Sequence, residues 1–215
     1  MSRKGSKSRS VLRRRSADRP ASGGGSSRAH GLLDIRPLTP DRWGDLVSLF
    51  GERGACGGCW CMWWRLKRSE FERRKGAGNR RALRKIVIAG KVPGLIAYVD
   101  GVPAGWCSVA PRDDYPALER SRVLARVDER PVWSVVCFFI ARPHRRKGLA
   151  LRLLEGAVSY ARETGASIVE GYPVEPAAPL PDAFAYTGLA SIFRRAGFIE
   201  VARRSATRPI MRYYA

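Results

Sequence analysis

Acidic residues are scarce in this chain. Its 215 residues hold 19 Asp and Glu against 40 Lys and Arg, a formal net charge of +21. A surplus of that size attracts polyanions without regard to their sequence. Histidine is nearly absent, with His30 and His144 alone, and cysteine numbers five. Three of these, Cys56, Cys59 and Cys61, fall within six residues. A structural zinc site takes four ligands, and Cys107, Cys137 and the two histidines offer no second pair at ligand spacing. The cysteine cluster therefore reads as small buried thiols between helices, and no metal is expected. The apolar run of a secretory signal is also missing. With no run of paired cysteines, the thiols are expected to be reduced and the protein cytoplasmic, without a membrane partner.

What is present is enough apolar material, 45% of residues, for one sizeable core. Residues 1–30 stand outside it: Ser, Arg and Gly dominate, with nine Lys/Arg and one acid, Asp18. That segment reads as a disordered basic tail contributing eight of the +21, and residues 31–215 as one domain carrying the remaining +13. The tail has three readings: an arm touching nucleic acid or ribosome, a targeting peptide, or an extension without function. The last is the default.

The chain is organised around Trp133–Gly165. From Trp133 to Ile140 both alternating faces are apolar, the pattern of a strand covered on both sides. Ala150, Leu153, Leu154, Ala157, Val158 and Ala161 then recur at helical spacing, and Gly165 supplies the stop. Between them lies Arg145-Arg146-Lys147-Gly148-Leu149-Ala150. Unpaired N–H groups at the first turn of a helix, a glycine that permits close approach and three preceding cations make an anion site suited to a diphosphate. A solvated basic loop capping a core helix is the other reading.

Around this centre, Leu32, Asp34 and Arg36 alternate with Leu33 and Ile35, so a first strand runs from Leu32 to Pro37. Thr39-Pro40-Asp41 opens a helix with Thr39 as N-cap. Ser69–Lys75 and Arg80–Ala89 read as helices broken by Gly76-Ala77-Gly78. Asp100-Gly101 is the turn of a hairpin, and Arg112–Arg130 a polar excursion that reaches over the site or is merely solvated. Ser167–Gly171 reads as a strand, and a Pro-rich passage from Tyr172 to Gly188 leads to a short helix and two closing strands.

Arg145-x-x-Gly148-x-Ala150, after an apolar strand and opening an amphipathic helix, resembles the acyl-CoA pyrophosphate loop of the GNAT N-acetyltransferase superfamily. The resemblance extends from about Leu32 to Tyr213. It implies an α/β fold: a mixed, mostly antiparallel sheet of about six or seven strands flanked by helices, with a splay between the fourth and fifth. The implied activity is direct transfer of an acetyl group from acetyl-CoA to a primary amine of a small molecule or protein, by a monomer or homodimer. Arg145, Arg146, Lys147, Gly148, Leu149 and Ala150 would hold the diphosphate. The backbone of Phe138, Phe139 and Ile140 would pair with the pantetheine arm, and Trp60, Trp63 and Trp64 would form part of the acceptor wall. A nucleic-acid- or ribosome-associated protein on an inactive or secondary acyl-CoA fold is the alternative.

The chemistry sets demands of its own. An exposed alkylamine, pKa about 10.4, must lose a proton before it attacks, so a carboxylate or a water chain must accept one. Glu170, at the end of the splayed strand, is the leading base; otherwise it is a strand-end acid paired with an arginine. Asp113, Asp114 and Asp182 are weaker candidates. Where relatives place a tyrosine acid, this chain has Phe193, so Tyr186 is the candidate donor, with Tyr172 and Ser191 behind it. A CoA thiol resembles Cys, pKa about 8.5, and leaves tolerably unaided. A cationic acceptor would want an acidic groove, at which only Asp113, Asp114 and Glu119 hint.

Overall fold

A computed structural model describes residues 32–177 and 185–215. Residues 1–31 and 178–184, which include the basic tail and Asp182, lie outside the described residues. Seven strands form one sheet: β1 (Leu33–Pro37), β2 (Leu95–Val99), β3 (Val102–Pro111), β4 (Trp133–Ile140), β5 (Ile168–Gly171), β6 (Ile199–Arg203) and β7 (Pro209–Tyr214). Their spatial order is β1-β2-β3-β4-β5-β7-β6. Every pairing is antiparallel except β4 with β5. The Asp100-Gly101 turn has positive φ at both residues, 52° and 78°, as a two-residue hairpin with right-twisted strands requires.

Helices cover both faces. On one lies α5 (Leu149–Glu163), whose Leu153, Leu154, Ala157 and Ala161 are fully buried against Val109, Val135 and Phe138. On the other lie α1 (Trp43–Phe50), α2 (Arg68–Arg73) and α3 (Ala77–Ile88). They pack Leu46, Phe50, Phe71 and Leu83, with Trp60 from the segment between α1 and α2, over Ile96 and Trp106. Thr39 stands at the N-cap of a 3-10 turn, Pro40–Arg42, that runs into α1; its hydroxyl caps no backbone amide and instead accepts from Arg42 Nη1 at 2.7 Å. The break between the two basic helices is Arg74, Lys75 and Gly76, the last at φ 76°; Ala77 and Gly78 are already inside α3.

Two features depart from simple alternation. The β3–β4 register shifts between Ser108 and Val109, leaving Val136 as an extra residue on β4. This bulge reverses the side-chain sequence. Val135 and Phe138 share the α5 face, whereas Cys137 and Phe139 join the opposite one. A bulge also bends its strand, and here it sits where β5 departs: the parallel pairing runs through Trp133, Ser134 and Val135 and no further. The second feature is the excursion after β3. It folds down as α4 (Pro116–Glu119) and adjoining turns, burying Tyr115, Leu118 and Leu124 with the Arg112 side chain.

Beyond the splay, the return to α6 (Ala190–Arg195) is stitched to the sheet end. Val174 N–H donates to Gly188 O and Ala190 N–H to Val174 O, both at 2.9 Å. Phe193 of α6 is fully buried and lies against Gly171, where an added methyl would overlap its ring. Gly171→Ala is therefore expected to cost about 1–3 kcal/mol of overpacking, read as a lower urea midpoint with unchanged m-value.

Candidate active site

The turn between β4 and α5 is built for an anion. Arg146 at φ 59° and Gly148 at φ 83° swing the chain into the helix. The amides of Leu151 and Arg152 converge on Gly148 O at 3.0 and 3.3 Å. No backbone carbonyl among the described residues takes the N–H of Gly148, Leu149 or Ala150. A Cβ at Gly148 would meet nothing within 4 Å, so the approach to these amides is open. Arg146, Lys147 and Gly148 are exposed, while Leu149 turns its side chain into the core. Arg145 bends back, its Nε donating to Ile140 O at 3.0 Å. The three residues expected to present amides and the cations expected beside them thus meet in one turn.

Past Val135 the β5 side of β4 faces the splay. Phe138 N–H points there and donates to Tyr186 O at 2.6 Å. Tyr186 and the β4 residues expected to contact the acyl donor are therefore neighbours. The Tyr186 phenol is half-buried, and burial pushes its pKa up to about 12.

Glu170 lies in a different setting. It is fully buried, and both oxygens are engaged. Oε1 accepts from Arg112 Nη1 at 3.0 Å and from Tyr172 OH at 2.7 Å. Oε2 accepts from Arg212 Nε at 2.7 Å. The network continues outward. Arg212 makes a two-pronged pair with Asp128 at 2.7 and 3.0 Å, and Arg112 reaches Glu119 and Leu124 O, each at 2.8 Å. Ser134 Oγ lies 2.8 Å from Tyr172 OH. These groups link β3, β4, β5 and β7 at the rung where Ser134 pairs with Glu170 and Glu170 with Arg212. Arg112, Arg212, Tyr172 and Asp128 were not singled out as partners of Glu170 from the sequence. A chain with 40 basic residues gives no signal for which arginine is buried.

The tryptophans divide. Trp60 is core, 1% exposed, with ring centroids 6.1 Å from Trp43 and 5.6 Å from Phe50. Trp63 and Trp64 line a cavity of about 290 Å³. A smaller one, about 170 Å³, lies against Trp133 and Gly165. All five cysteines are free thiols, and Cys61 Sγ lies 3.5 Å from Cys137 Sγ. Among the described residues no group of three His, Cys, Asp or Glu side chains is placed to hold a metal ion. No helix among them is long and apolar enough to cross a membrane.

The model of the acetyltransferase (GNAT) family matches residues 60–178, more than half of the chain. No curated protein matches in sequence. Among solved structures, a GNAT acetyltransferase from Listeria monocytogenes is similar at 10% identity, over 85% of this chain and 95% of that one, with a TM-score of 0.53. A GNAT acetyltransferase from Streptococcus agalactiae is similar at 15% identity, over 85% and 95%, with a TM-score of 0.51. The PaiA N-acetyltransferase of Thermoplasma acidophilum, in complex with coenzyme A, is similar at 13% identity, over 86% and 99%, with a TM-score of 0.50.

The buried cluster carries a test. Glu170→Ala leaves two interior guanidinium groups without their shared carboxylate, an expected loss of about 3–5 kcal/mol that urea denaturation measures.

Proposed function

The chain belongs to the GNAT acetyltransferase family, and on that premise we propose that it moves an acetyl group from acetyl-CoA directly to a primary amine in the cytoplasm. The observation that carries this reading is the turn at Gly148. Three uncommitted amides, open space and two exposed cations stand where the central strand meets its helix. Such a helix start holds a diphosphate through N–H donors and the positive end of the dipole. The coenzyme A complex of the Thermoplasma acidophilum relative supports the same choice of donor.

The roles of this chain's residues follow from their surroundings. Gly148, Leu149 and Ala150 offer amides to the diphosphate, and Arg146 and Lys147 add charge. The edge of β4 at Phe138–Ile140 that faces the splay pairs with the pantetheine arm, which displaces Tyr186 O from Phe138 N–H. A strand amide freed in this way is the fixed donor that a developing thioester oxyanion needs. Tyr186 holds its proton too firmly to hand it fully to a thiolate near pKa 8.5. It serves instead as a hydrogen-bond donor to the leaving sulfur. Glu170 acts as a positioning residue: a carboxylate held by two arginines and a tyrosine and sealed from solvent is out of reach of an incoming amine. The amine's proton leaves through water.

Calorimetry tests the donor site. Acetyl-CoA is expected to bind saturably; Gly148→Glu abolishes binding by placing a carboxylate against the diphosphate, and deletion of residues 1–30 leaves it intact. No heat with the full chain would sink the reading. The proton route has its own signature. With no enzymic carboxylate as base, kcat/KM for an alkylamine rises about tenfold per pH unit toward the amine's own pKa, about 10.4. A plateau beginning between pH 5 and 7 would instead point to a carboxylate base.

A further inference from the structure

The second aromatic site bears on which amine is acetylated. The cavity of about 290 Å³ is walled on one side by Trp63, Trp64, Leu66 and Phe71, and on the other by the segment around α4, including Arg120. At the lower end of ligand-pocket sizes, it suits a molecule no larger than an amino acid. Its wall adjoins the splay. Trp64 packs in one cluster with Val136, the bulged residue of β4, and Trp63 joins Cys137 and Tyr186 at that cluster's edge.

Two observations define the guest. The first is aromatic. Phe71 meets Trp63 edge to face at 5.1 Å and Arg68 lies 4.3 Å over the same ring, leaving a rigid, largely apolar wall. The second is charge. The lining holds two arginines and no acid. Arg68 pairs with Glu72 at 2.8 Å, whereas Arg120 donates to Leu66 O at 3.2 Å and makes no ion pair among the described residues.

The acids that would welcome a polycation are already engaged. Asp113 pairs with Arg126, Asp114 with Arg65 and Lys91, and Glu119 with Arg112 and Arg126. Resting on the acetyl-transfer reading above, we propose that this cavity takes the acceptor, and that the acceptor is a small primary amine with an aromatic body and a carboxylate, not a polyamine or aminoglycoside. The rings hold the aromatic body, and Arg120 takes the carboxylate.

Calorimetry on the full chain, with L-phenylalanine, phenethylamine and spermidine in turn, separates the classes. L-Phenylalanine is expected to bind. Phenethylamine, the same molecule without its carboxylate, binds at least tenfold more weakly. Arg120→Ala weakens L-phenylalanine about tenfold, and Arg120→Lys restores part of it. With acetyl-CoA added, thiol release and an acetyl mass shift appear for L-phenylalanine and not for spermidine. Tighter binding of spermidine, unchanged affinity in Arg120→Ala, or L-phenylalanine bound but never acetylated would each overturn the assignment. Acetyl-CoA binding, measured alone, distinguishes this failure from failure of the enzymatic reading itself.

Discussion

A single carboxylate shared by two buried guanidinium groups holds the sheet together at its critical rung. Glu170 joins Arg112, from the end of β3, to Arg212 on β7, across the place where β4 and β5 run in parallel. Charges taken from water are costly unless every polar atom finds a partner. Here Tyr172, Ser134, Asp128, Glu119 and Leu124 O complete the set. The parallel pair is thereby pinned at one end, and the bulge at Val136 turns β4 away at the other. The opening between the strands is the product of those two constraints, one electrostatic and one of backbone register.

The shortage of acids gives the arrangement its character. Where cationic side chains outnumber carboxylates about two to one, one carboxylate serves more than one arginine, as buried Glu170 and exposed Glu119 do. The loop after β3 is drawn inward for the same reason. Its acids face arginines, its Tyr115 and Leu118 enter the core, and a stretch that reads as polar becomes a wall of the molecule.

Much of this was legible in the sequence, and the limits have physical causes. β4, α5, Gly148 and the Asp100-Gly101 hairpin announced themselves by periodicity and turn chemistry. The bulge did not, because a strand apolar on both faces looks the same in either register: Cys137 and Phe138 exchange sides without breaking any pattern. Phe193 was visible as a residue that cannot donate a proton, and its burial against Gly171 shows it as packing. Glu170 carried no mark of its partners, since Arg112 and Arg212 are separated from it by 58 and 42 positions. Nor could spacing show that Trp60 is sealed in the core while Trp63 and Trp64 border a cavity.

The bond from Phe138 N–H to Tyr186 O has one more consequence. The β4 amide that faces the gap between the strands is not idle: the chain's own main chain already satisfies it. Any guest that pairs with this amide enters by exchange, one carbonyl for another. Its apparent affinity is then the gross contact less the cost of evicting the resident, scaled by the fraction of molecules in which that place is vacant. The return segment from Tyr186 to Leu189 thus sets a threshold for occupancy, and its length and composition tune that threshold without touching the guest.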